Sequence, residues 1–299
     1  MQKLCFCLIL IFSYQAGYSQ YWQQQVDYSI KVSLNDAEKS LDGFETLTYT
    51  NKSPDSLSFI WFHIWPNAYK NDKTAFSDQL LKTGNTHFYF SSKEERGYLN
   101  RLDFKVNGIT AKAEDHPSFI DIVKLVLPKL LLPGDSITIT TPFHVKLHFN
   151  FSRGGYDGNM FQITQWYPKP AVYDQNGWHP MPYLDQGEFY SEFGNFEVEI
   201  TVPESFVVAA TGELQSEKEK EWLQKRQPLP HVKQRKMAPS KAKTNGKQLK
   251  NNRGTLVAKE HVPTKTIRFR QENCHDFAWF ASPDYKVVRD TCQLTSSKI

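Results

Sequence analysis

The residues able to do chemistry gather in one stretch, Phe161 to Phe196 (FQITQWYPKPAVYDQNGWHPMPYLDQGEFYSEFGNF). It carries Gln165, Tyr167, Glu188 and Glu192 among two Trp and four Tyr. Loops are usually small and polar. A segment this aromatic either buries its rings under its own fold or holds a polar group between them. Elsewhere the acid/His neighbours are Glu114-Asp115-His116, Glu260-His261 and Cys274-His275-Asp276. None has a third ligand at helical spacing, and neighbours in sequence rarely share a face, so a structural role is expected for each. His63 lies inside an apolar run and reads as a hydrogen-bonded core residue. The chain lacks Gly-x-Ser-x-Gly, and no His is followed by Glu. Neither a nucleophile elbow nor a helical zinc pair with its general base is therefore present. Arg153–Asn159 (RGGYDGN) lacks the Gly-Lys-Ser/Thr ending of a phosphate loop and reads as a tight turn. No catalytic or metal-ligating residue is assigned.

The elements that must position this stretch are strands. Tyr28–Leu34 alternates strictly, with Tyr28, Ile30, Val32 and Leu34 on one side. Leu41–Asn51 follows. Leu57–Trp65 (LSFIWFHIW) is apolar on both faces, as a covered inner strand would be. Lys73–Lys82 suits a short helix. Asn107-Gly108 signals a hairpin between Leu102–Val106 and Ile109–Ala113. Ile120–Leu127, Ser136–Thr141 and Phe143–Phe149 continue the series. Phe196–Val202 is paired with Ser205–Leu214 as a hairpin, and Thr264–Arg270 and Asp276–Val288 close the domain. Aromatic and β-branched enrichment agrees. The expected fold is mostly β, a twisted antiparallel saddle-like sheet or sandwich carrying a disordered basic insertion.

Residues 1–19 read as a signal peptide, with Lys3 before the apolar run Leu4–Phe12 and small residues near Ser19. That run is too short for a stable membrane anchor. The protein is expected to be exported, periplasmic or extracellular. Cys5 and Cys7 fall inside the apolar run, which leaves Cys274 and Cys292 able to pair in an oxidising compartment. The formal charge of +4 is unevenly spread. Leu214–Arg253 holds 12 Lys+Arg and three Glu, a local +9, and the remainder is −5. Residues 214–254 are too polar to offset their chain entropy and are read as a flexible insertion. The basic character belongs to that segment, and nucleic acid is not an expected partner. The β domain proper spans 20–213 and 255–290, with a short tail at 291–299.

Several segments, taken in order, resemble the N-terminal β domain of aminopeptidase N-like zinc metallopeptidases, the gluzincins, and their secreted bacterial members in particular. They are YSIKVSLN, LDGFETLTYTN, FIWFHIWPNAYKND, the Gln165 segment, VVAATGEL and HDFAWFASPDY. The resemblance implies a saddle-like domain that packs on a thermolysin-like domain, which carries the zinc and would present the peptide substrate. No cofactor is implied within this chain, and no hydrolysis by it alone. In the family a Gln-x-Glu or Gln-x-Gln segment of the β domain helps hold the substrate's free α-amino group. Gln165-Trp166-Tyr167 matches it at the first position, and Tyr167 stands where Glu or Gln is expected. The resemblance thus implies a substrate-binding role for Gln165 and Tyr167, with Glu188 or Glu192 as the carboxylates able to substitute. The alternative is a stand-alone exported binding module for peptide or glycan ligands.

Overall fold

The computed structural model describes residues 21–226 and 262–288. The expected signal peptide, the greater part of the basic insertion, Cys292 and the tail lie outside these residues. The architecture is mostly β, and no sheet among the described residues closes into a barrel.

The first two long strands, β1 (Gln25–Asn35) and β2 (Ser40–Thr50), form a hairpin in continuous register. The alternation read from the sequence holds: Tyr28, Ile30, Val32 and Leu34 are all buried. Such side chains each contribute roughly 1.5–3 kcal/mol on burial. The other long strands are β3 (Leu57–His63), β4 (Ile122–Leu131), β5 (Ser136–Lys146), β6 (Met160–Ile163), β7 (Gly194–Pro203), β8 (Val207–Ala210), β9 (Thr264–Cys274) and β10 (Trp279–Ser282). The main sheet runs β9, β7, β1, β2, β5, with short strands at both edges. A second sheet pairs β3 with β4, and a third pairs β6 and β8 with β10 between them.

Four details differ from the expectation. β1 and β7 pair in parallel, so the main sheet is mixed. The β1–β7 approach is tight at Gly194, where a Cβ would meet the Val26 carbonyl oxygen at 1.6 Å. Ser136–Thr141 and Phe143–Phe149 do not form separate strands. Pro142 sits inside one continuous strand, β5, where it pairs with Phe44 on β2. Val207–Ala210 does not form a hairpin with β7; it crosses to the third sheet and pairs with β10. Local alternation cannot reveal that choice, because β7 takes β9 as its antiparallel neighbour from 61 positions further along. Finally, the expected flexible insertion begins with a helix, Glu217–Lys225, whose Glu219 is buried and paired with Lys265 at 2.7 Å. The hairpin at Asn107-Gly108 has positive φ at both residues (49° and 80°), as its turn chemistry requires. The short helix is present as Ala75–Lys82, capped by Thr74, whose hydroxyl oxygen accepts from the Ser77 amide. No described helix is long and apolar enough to cross a membrane.

Candidate functional site

The aromatic stretch divides between the interior and the surface. Its first half is buried. Trp166 and Tyr167 are 1 % and 2 % exposed. The Trp166 indole donates to the Phe277 carbonyl (3.0 Å) and meets Trp279 edge-on. Phe161–Ile163 is held in the sheet by β10, so the chain emerging from β6 runs beside the segment that leads into β10. That geometry brings positions 165–169 against Asp276.

Asp276 is the centre of a buried polar node. Its Oδ1 accepts from the Tyr167 hydroxyl (2.9 Å) and the Phe277 amide (2.8 Å), and lies 2.7 Å from the Lys169 ammonium. Its Oδ2 accepts from the Gln165 amide nitrogen. Burial works against ionisation of Asp276, yet Lys169, Tyr167 and the Phe277 amide hold its carboxyl below the usual range. Burial and the Asp276 charge push the Tyr167 phenol well above its ordinary value. Lys169 is 1 % exposed and also lies over the Trp65 and Tyr167 rings, at 5.5 and 5.2 Å from their centroids. Glu45, on β2, is wholly buried; burial raises its carboxyl well above the ordinary range against the pull of Lys169.

Gln165 has φ of +52°, a left-handed conformation that costs a non-glycine residue on the order of 1 kcal/mol. Asp276 fixes its amide nitrogen, which orients the carbonyl oxygen. That oxygen is buried and has no hydrogen-bond partner among the described residues. The node is therefore a device for holding one neutral acceptor in a set direction.

The second half of the stretch forms the wall of an open cleft of about 550 Å³, lined chiefly by Trp22, Tyr173, Asp174, Tyr190, Glu192 and Phe193. The hairpin Val172–Asp174 with Gly177–His179 supplies one side. Asp174 Oδ1 accepts from the Asn176 amide and contacts His179 Nε2, each at 2.8 Å, and Oδ2 accepts from the Tyr190 hydroxyl at 3.1 Å. Burial opposes ionisation of Asp174, but these contacts hold its carboxyl below the ordinary value. The Trp22 and Tyr173 rings lie 5.6 Å apart. Glu192 is 3 % exposed, and burial pushes its carboxyl up to about 7. The Tyr173 backbone amide and the Gln23 side chain draw it the other way, but neither Glu192 oxygen has a well-formed hydrogen bond among the described residues.

Of the residues singled out in sequence, Gln165 and Tyr167 meet on one carboxylate. Tyr167 does so as a buried donor to Asp276 and not as a group facing an opening. Glu188 is exposed and contributes to neither the node nor the cleft, so the structure does not bring it to Gln165. Glu192 belongs to the cleft. Sequence reasoning missed Lys169, Asp174 and His179, and gave Asp276 a structural role without its partners. The available signal for the pairing of Lys169 with Asp276 was a lysine inside WYPKPAVY, since a cation buried among rings needs an anion. The acid/His neighbours behave as structural groups where described. His116 Nδ1 accepts from the Ser118 and Phe119 amides, and Asp276 serves the node while His275 packs on Phe193.

The described residues offer no group of three or more His, Cys, Asp or Glu able to hold a metal. His63, wholly buried, accepts from the Met181 amide and stacks on Trp65; burial and the Lys169 charge lower it to about 3. His148 stacks on Tyr69 and donates to the Phe149 carbonyl. These donors do not fit a zinc ion.

No protein-family profile matches the chain, and no curated protein does. Among solved structures, 87 % of the chain is similar to an M1 zinc metallopeptidase from Deinococcus radiodurans, at 14 % identity and a TM-score of 0.44. A mutant of the Deinococcus radiodurans enzyme bound to a Tyr-Ser-Ala substrate, and a two-domain M1 zinc metallopeptidase mutant bound to L-arginine, give the same figures. The chain spans 42 % of the length of each of these. At that distance residues are not matched one to one, and the site stands on its own geometry.

Proposed function

We propose that this chain is the exported, non-catalytic β portion of an aminopeptidase-type zinc metallopeptidase, and that its Gln165 carbonyl oxygen, once uncovered, accepts from the free amino terminus of a peptide. The observation that carries the reading is the oriented and unpartnered Gln165 oxygen, in the one segment whose residues resemble the family's amine-binding motif. An ammonium group donating to that oxygen would gain a charge-assisted hydrogen bond. It would also satisfy an acceptor whose burial without a partner costs about 1–3 kcal/mol. Tyr167 is then a positioning residue, which acts through Asp276 on the direction of the Gln165 amide. The zinc and the general base would come from a thermolysin-like domain and not from this chain.

The test has two parts. The chain alone, assayed with aminoacyl and longer peptide substrates and added zinc, gives no chelator-sensitive turnover; turnover would sink the reading. Second, the reading expects a longer coding sequence that carries His-Glu-x-x-His. In that longer protein Gln165→Gly, which keeps the left-handed backbone, raises KM for substrates with a free amino terminus about tenfold and leaves N-acetylated ones unchanged, a loss of about 1.4 kcal/mol. A frame without the motif, or equal effects on both substrates, overturns it.

A further inference from the structure

The cleft beside the 172–179 hairpin is separate from the Gln165 node: no residue that lines it also surrounds Gln165 in the small cavity near Trp65. Three observations define what it would hold. Its walls are aromatic, with the Trp22 and Tyr173 rings at 5.6 Å and Tyr190 and Phe193 44 % and 48 % exposed. Its lining carries two carboxyl groups, Asp174 and Glu192, beside one imidazole, His275, and no described lysine or arginine. Glu192 is almost wholly buried, and its oxygens lack a well-formed partner.

We propose that this cleft is a binding site for organic cations, primary ammonium groups attached to a flat apolar body above all. Ring faces attract a cation through their quadrupole, by roughly 0.5–2 kcal/mol each as water is excluded. An ammonium placed beside Glu192 would draw its carboxyl into the ionised form and take it as a charge-assisted acceptor. Gln23 is the neighbour that an incoming ammonium displaces. Asp174 is already committed to His179, Asn176 and Tyr190; it fixes the Tyr190 ring and adds negative potential without being the direct partner. Neutral sugars also stack on aromatic walls and can donate hydroxyls to a carboxylate, but they bring no positive charge to it.

The inference does not depend on the peptidase reading, because it concerns binding to this chain alone, without zinc or turnover. Titration calorimetry with benzylamine, benzyl alcohol and cellohexaose separates the outcomes. Saturable one-to-one binding of benzylamine is expected, with no saturable binding of the two neutral probes. Glu192→Gln should weaken benzylamine at least tenfold, and Trp22→Ala severalfold; because Trp22 lies on the cleft wall and outside the described strands, the second variant keeps the test open if the first fails to fold. Equal affinity for benzyl alcohol, cellohexaose bound in preference to benzylamine, no saturable binding of benzylamine, or benzylamine binding unchanged in the folded Glu192→Gln and Trp22→Ala variants would overturn the proposal.

Discussion

Asp276, which is largely covered and packs against the first half of the aromatic stretch, and Glu192, which is almost wholly buried within its second half, are two carboxyl groups shifted in opposite directions. Asp276 collects a lysine, a phenol, a carboxamide and a backbone amide, and its value falls below the ordinary one. Glu192 collects no well-formed hydrogen bond, and its value rises to about 7. Burial alone raises both. The partner set decides which one stays charged inside the protein. The first is built to hold a structure in place; the second keeps acceptor capacity in hand.

The strongest way to break this contrast is to empty the node. Asp276→Ala leaves the Lys169 ammonium buried without its counter-charge, and should cost about 3–5 kcal/mol in urea unfolding. The Lys169→Met, Asp276→Leu double variant should lose clearly less than the single one, since it removes both charges. A double variant as damaged as the single one would show that the node acts as shape and not as charge.

Glu192→Gln should act in the other direction. A carboxyl raised from 4.5 to about 7 binds its proton more tightly folded than unfolded, so folding stability falls as pH rises through that window. The Gln variant escapes this loss. It should match the parent below about pH 4.5 and exceed it by about 2–3 kcal/mol above pH 7. Asp276 has the reverse sign: its contribution is present above the unfolded value and is lost as pH falls through the folded one. Paired urea titrations of Glu192→Gln and the parent at pH 4.5 and 8 therefore separate the two carboxyls. A difference that is flat in pH would remove the distinction.

Tyr167→Phe keeps the ring packed against Tyr28 and Phe196 and deletes only the donor to Asp276. A loss of about 1.5–3 kcal/mol is expected, as for a hydrogen bond to a charged group. The smallest change should come from Gln165→Gly. It gives up the amide bond to Asp276 but relieves a positive φ and an unpartnered oxygen, so stability should move by less than about 1 kcal/mol. A near-neutral stability effect beside a selective rise in KM would separate a residue kept for binding from one kept for folding.

Much of the scaffold was legible from periodicity. β1 was readable because side chains alternate and one face must leave water; the Asn107-Gly108 turn was readable because few residues accept two positive φ values in succession. Gln165 and Tyr167 were legible as a pair through a resemblance of motif. Asp276 was not, because it lies more than a hundred positions away and its local sequence, Cys-His-Asp before an apolar strand, suggests nothing about its partners. Glu188 and Glu192 looked equivalent as acidic residues four apart among rings. Only the packing of Trp22, Tyr173 and the 172–179 hairpin separates the buried one from the exposed one.

By itself, then, the sequence determined a β-rich chain with aromatic cargo concentrated at 161–196, because alternation and turn chemistry act over a few residues. Tertiary structure decided the parallel pairing of β1 with β7, the crossing of Val207–Ala210 to another sheet, and the charge states of Asp276 and Glu192. Those depend on which distant segments share a wall, and the energy of a buried charge is set by the groups within a few ångströms of it, wherever they stand in the chain.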